Sequence, residues 1–381
     1  MVLAHHFMLA FYPAAYDHNP ARAHTVSLEL NYYASPLNVL TNGNFCVTIF
    51  FVLSGFVLSH KYMRENNFSI IISAAKRRFF RLFIPVGFVI IIAFILLHFQ
   101  LYKHVEVAEI SKSDWWLKGL WPVPATFGWF FEFFTYRVMF LGDSNCDTSM
   151  WTMSMELYGS FLVFGLLAAT HYTKRKNIIF LIALIIIYAM QKYYYLAFVL
   201  GMMLYSVESF SLKTKNTLIS YVLVPFLIFG GLLLGSFPSL SWSHYSFWEL
   251  IQNQKVLDSY VTIHVIGSMM VVAGVVMSPL LQKILSNKFF VFLGLISFSL
   301  YLIHPLIIGA FSCPLFLRLH DTMGYNRAAL TVFLSTIALT VVLSWIMAKT
   351  VDKFSVDFSK RIFGGTLAKK KIPVKSKGNK K

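Results

Sequence analysis

The sequence predicts an all-α integral membrane protein, a bundle of about ten transmembrane helices with both termini cytoplasmic. Three observations carry that expectation. Hydrophobic residues make up 57% of the 381-residue chain and charged residues 13%, about half the share of roughly 25% usual in soluble domains. Runs close to the ~20 apolar residues that a span needs recur along the whole length, with no long polar block between them. Lys and Arg gather in alternate connections, and that asymmetry orients the spans. The formal charge of +17 then measures cytoplasmic loops and a basic tail, and no nucleic-acid partner is expected. Cys46, Cys146 and Cys313 form no CxxC pattern, so neither a zinc site nor a redox motif is indicated.

The first span, residues 2–16, is apolar from its second residue but short, and its cytoplasmic end is expected to be missing from this sequence. The second, 45–60, carries FFVLSGFVLS, where the small pair Ser54-Gly55 lets a neighbouring backbone approach. Six basic residues follow (Lys61, Arg64, Lys76, Arg77, Arg78 and Arg81) before the third span at 82–101, and they place that connection inside. The long outer loop 102–150 holds Trp115, Trp116, Trp121 and Trp129, rings suited to a headgroup boundary or to stacking on a sugar. Within it, 127–141 is apolar but contains Glu132 and Arg137. If it crossed, every later basic loop would invert, so it is read as interfacial or re-entrant. Further spans are expected at 151–170, 178–190, 194–207, 218–235, 261–278, 289–312 and 328–348. With that topology 24 basic residues fall inside and 9 outside. Cys146 and Cys313 both fall outside, where an oxidising compartment would permit a bridge. The membrane domain is taken as residues 1–358. Residues 359–381, ending KKKIPVKSKGNKK, lack an apolar face and are expected to be a disordered tail drawn to anionic lipid.

Ionisable groups inside a span cost about 2.5–3.5 kcal/mol or more at its centre, so those that persist usually line a cavity or act. His5 and His6 sit in the first span, with His6 about 15 Å below an exit at Tyr16. Glu156 lies just inside the outer end of the fourth span, in WTMSMELYGS, and His304 in the outer half of the ninth, in SFSLYLIHP, with Tyr301 a turn away as a further polar candidate. Singly, each reads equally as a side chain satisfied by a neighbouring helix. Together they bring a proton-accepting imidazole and polar partners into one region. Arg78 and Arg81, one turn apart in RRFFRL at the inner mouth of the third span, could clamp phosphates. No HExxH, GxSxG or GxxxxGK pattern occurs.

In this order, GNFCVTIFFVLSGFVLS, RRFFRLFIP, MWTMSMELYGSFLVF and ISFSLYLIHP resemble the membrane-bound acyltransferase 3 family, O-acyltransferases of cell-surface sugars and related acceptors. The resemblance runs from His6 to about Phe358. It implies a bundle of about ten spans in the plasma (inner) membrane, no bound cofactor or metal, cytoplasmic acyl-CoA as co-substrate (acetyl-CoA first), and a carbohydrate or related hydroxyl acceptor on the far side. Carried onto this chain, it implies His6 as base with His5 as fallback, Arg78 and Arg81 on the donor, Ser54 and Gly55 lining the passage, and Glu156 as a polar partner within it. The family's arginine upstream of the histidine falls before this sequence starts. The family's Gly-Val-Asp before FF is replaced by Cys46, Val47 and Thr48. A transporter without acyl-transfer chemistry is the rival expectation, and neither the acceptor nor the oligomeric state can be read from the sequence.

Overall fold

The computed structural model describes residues 1–214, 219–238 and 260–363. Among them all regular structure is helical, and a helix stands at each of the ten expected positions. They are α1 (Val2–Phe11), α2 (Gly43–Glu65), α3 (Phe68–His98), α4 (Trp151–Ala169), α5 (Lys176–Ala189), α6 (Tyr194–Thr214), α7 (Val224–Gly235), α8 (Tyr260–Met277), α9 (Lys288–Ile307) and α10 (Tyr325–Met347). Among the described residues, six helical segments are long and apolar enough to cross a membrane: α2, α3, α4, α8, the run Lys288–Met323 that begins with α9, and the run Tyr325–Phe363 that begins with α10.

Several boundaries differ from expectation, each for a local reason. α1 stops at Phe11 rather than near residue 16, because Pro13 pushes Tyr12 out of helical geometry, to φ −139°, ψ 60°. Counted from that end, His6 lies five residues in, about 8 Å, half the expected depth. The basic connection after the second span shrinks to Asn66-Asn67. Asn66 closes α2 in the left-handed region, and the Asn67 side chain accepts from the Ser69 N–H to open α3. Lys61 and Arg64 therefore end α2, while Lys76 to Arg81 lie inside α3, which starts well before residue 82. Apolar length alone missed this turn, since Ile70 and Ile71 bury beside a polar helix face. The ninth run continues past Ser312 through a wide π-type turn into Cys313–Met323. α10 likewise continues through Ala348–Asp352 into α11 (Lys353–Phe363), five residues into the segment expected to be tail; residues 364–381 lie outside the described residues.

The segment Phe127–Leu141 enters beside α3 and runs antiparallel to it. Phe130 meets Phe94, Phe134 meets Phe83, and Phe140 meets Phe79, with ring centroids 4.8, 5.3 and 6.0 Å apart. It ends well short of the start of α3, and the chain turns at Gly142 and climbs back to Trp151, so the segment is re-entrant. Arg137 stays inside this hairpin, donating to Glu132 at 2.9 Å and Asp143 at 3.0 Å.

The closest helix contact is between α2 and α6. A Cβ on Gly55 would fall on the Phe198 carbonyl, and one on Gly201 on the Val52 carbonyl, so the two backbones touch through paired glycines. Phe51 stacks on Phe198 beside them at 4.9 Å. Gly55 thus closes a helix interface and does not line a passage. Cys146 and Cys313 are free and buried in separate parts of the core.

Candidate active site

Two histidines that stand 298 positions apart meet at the centre of the candidate site. His6 Nδ1 lies 2.7 Å from His304 Nε2. His304 sits one residue before Pro305, whose ring nitrogen carries no hydrogen, so the Tyr301 carbonyl loses its helical donor. His304 Nδ1 approaches the Leu300 carbonyl at 3.0 Å. A carbonyl only accepts, so Nδ1 of His304 carries the hydrogen, and in the neutral ring Nε2 is then the acceptor. His6 must therefore donate from Nδ1, which leaves the lone pair of His6 on Nε2. That atom makes no hydrogen bond among the described residues. The Trp116 ring stands 5.3 Å from the His6 ring, so this tryptophan belongs to the site rather than to a headgroup boundary.

His5 is placed differently. Its Nδ1 donates to the Thr41 carbonyl at 2.8 Å, and its ring packs on Gly43, where any Cβ would collide with the imidazole. This histidine ties α1 to the start of α2.

Below the histidines, the Tyr301 hydroxyl meets the Thr152 hydroxyl at 3.0 Å and donates to the Ser149 carbonyl at 3.2 Å, joining α9 to α4. One turn further along α4 is Glu156. Its Oε1 accepts from Ser54 Oγ at 2.7 Å and from Arg78 Nη2, while Arg78 Nε donates to Ser160 Oγ at 2.7 Å. The Glu156 side chain is 1% exposed and that of Arg78 14%. Arg78 is thus turned inward onto a carboxylate about 15 Å along α3, and does not stand free at a mouth. Arg81 is exposed and, with Arg77 and Arg78, lines a pocket of about 130 Å³. His304 lies three residues beyond Tyr301, and Glu156 four residues beyond Thr152 in the opposite direction. The imidazole pair and the Arg78–Glu156 pair therefore stand about 10 Å apart along the bundle. The structure brings the predicted residues into two adjoining clusters, with α4 presenting a side chain to each.

Sequence reasoning missed Asp147, in the return of the re-entrant segment. Its Oδ1 accepts from the N–H and Oγ of Ser149, both at 2.7 Å, while Oδ2 is buried without a hydrogen-bond partner. Burial pushes this carboxyl up to about 7. Tyr102 and Trp121, stacked at 4.1 Å, are buried nearby with unpartnered polar atoms. An acidic residue in a long outer loop gives no periodic signal, so nothing in the chain singled it out.

The family described as an acyltransferase domain (Acyl_transf_3) matches residues 1–349 of this chain. The chain is 24% identical over 399 aligned residues to the O-acetyltransferase PaAT-1 of Phomopsis amygdali, across 89% of this chain and 78% of that protein. No solved structure matches the chain significantly.

Proposed function

Because the chain belongs to the acyltransferase 3 family, and is therefore an acyltransferase, we propose that it moves an acyl group, acetyl first, from acyl-CoA to a hydroxyl of a carbohydrate or related acceptor. The O-acetyltransferase likeness supports the acetyl group. The single observation that carries the chemistry is the imidazole pair: a neutral ring whose Nε2 lone pair is held free because its Nδ1–H is committed to His304.

In this reading the acceptor hydroxyl gives its proton to His6 Nε2 as its oxygen attacks the thioester carbonyl. The C–O bond forms, the C–S bond breaks, and the thiolate leaves with the electron pair and takes up the proton. His304 orients the base, much as the third member of a hydrolase triad orients its histidine, but without a charge. The donor's phosphates sit at Arg77 and Arg81, with Arg78 held on Glu156, and the flexible arm of the donor spans the ~10 Å to the histidines. Ten crossings, cytoplasmic termini and a plasma-membrane address complete the proposal, supported by the distribution of basic residues.

Purified protein incubated with radiolabelled acetyl-CoA and an acceptor extract tests this. His6→Ala should lower transfer by about 10²–10⁴-fold, the usual weight of a positioned base. Unchanged transfer in the His5→Ala, His6→Ala double variant would overturn the assignment.

A further inference from the structure

α11 lies beyond residue 349, where the family match ends, and it packs along the first turns of α3. Phe80 of α3 touches Phe358 and Phe363 of α11, with centroids 5.7 and 5.6 Å apart. This contact turns one face of α11 toward the pocket that Arg77, Arg78 and Arg81 line, and Ser359 and Lys360 complete its wall. Arg78 is neutralised by Glu156. Arg77, Arg81 and Lys360 form no ion pair among the described residues. Asp352, within electrostatic reach of Arg81, is the nearest acidic group recorded for them. Cations crowded around about 130 Å³ repel one another, and a multiply charged anion relieves that repulsion.

We propose that α11 is part of the donor site: Lys360, with Ser359, joins Arg77 and Arg81 in holding a phosphate or pyrophosphate group of the acyl-CoA. This inference rests on the donor assignment above. Phosphate chemistry is shared by two sources, the soluble nucleotide donor and the headgroup of an anionic phospholipid, and the position of the pocket on the path to the histidines favours the donor. Lys360 acts by binding alone, since it lies far from the reacting atoms.

The test uses the full chain in nanodiscs of neutral phosphatidylcholine, with coenzyme A as the probe. Lys360 is exposed, so its replacement leaves the packing intact. Lys360→Ala should weaken coenzyme A binding about two- to fivefold, the range for an exposed charge pair. It should raise KM for acetyl-CoA by a like factor at unchanged kcat, and the difference should shrink in high salt. Lys360→Arg should restore binding, and Lys174→Ala, a cation on a distant loop, should change nothing. Equal affinity in wild type and Lys360→Ala would overturn the role of α11 while leaving the donor assignment intact. If the wild type bound no coenzyme A, yet co-purified less anionic phospholipid after Lys360→Ala, the phosphate would belong to lipid and the donor assignment would fall. If it bound neither, both would fall.

Discussion

Replacing Glu156 by Gln should cost the fold about 3–5 kcal/mol, the penalty for leaving one member of a buried ion pair uncompensated. The structure sets the size of the effect. Glu156 is almost fully enclosed, Arg78 nearly so, and the carboxylate collects Arg78 and Ser54 on one oxygen while its other oxygen is buried without a partner. Arg78→Met should cost less, because a lone carboxyl can take up a proton whereas a lone guanidinium cannot lose one. The double variant Arg78→Met, Glu156→Gln should be more stable than Glu156→Gln alone, since a half-satisfied buried pair gives little net stability over an uncharged one. The assay is a double-mutant cycle on detergent-purified protein, following tryptophan fluorescence on heating, with midpoints compared at one pH and one detergent. Additive losses in the double variant, or a Glu156→Gln midpoint equal to wild type, would refute the buried pair and with it the inward placement of Arg78.

Three further outcomes follow from the geometry. His304→Phe should lower kcat about 10–100-fold with KM for acetyl-CoA little changed, as expected when the partner that orients a functional imidazole is lost; steady-state kinetics with labelled donor checks it. Gly55→Ala should destabilise by about 1–3 kcal/mol, because its methyl group must displace the Phe198 backbone of α6, while Gly128→Ala, where nothing lies near the added carbon, should leave the melting midpoint in place. Asp147, raised from 3.8 to about 7, holds a proton in the folded state that the unfolded chain has lost, so its contribution to stability falls as pH rises from about 4 to 7 and is fully lost above that. Asp147→Asn keeps an acceptor for Ser149 and removes the titration, so melting curves from pH 5 to pH 8 should show a flatter decline in the variant.

What the chain disclosed, and what it withheld, divides along the range of the interactions. The small pair Ser54-Gly55 announced a close helix approach, and α2 and α6 meet there through glycine. The aromatic segment with Glu132 and Arg137 could not sit comfortably across a bilayer, and it turns back with those charges paired inside its own hairpin. The intramembrane histidines and Glu156 stood out because buried ionisable groups are costly. Their partners were not legible. No local pattern pairs His6 with His304 across 298 positions, and the fork between His5 and His6 is decided by Thr41 and Gly43, residues with no chemical signature. Arg78 and Arg81 looked equivalent at one-turn spacing, yet a single carboxylate on α4 takes one and leaves the other exposed. Lys360 was hidden in a stretch whose charge resembled a solvated tail.

A pair of imidazoles differs from an imidazole backed by a carboxylate in its resting electrostatics. The dyad of His6 and His304 brings no formal charge into the lipid-facing half of the bundle, so holding it there between turnovers is inexpensive. During reaction the same absence becomes a demand: the imidazolium has no anion beside it, and a bare cation in that setting is short-lived. The newly formed sulfur anion is the natural recipient of its proton. Departure of the free thiol and restoration of the base would then be a single event, and the enzyme would reset without drawing on buffer from either side of the membrane.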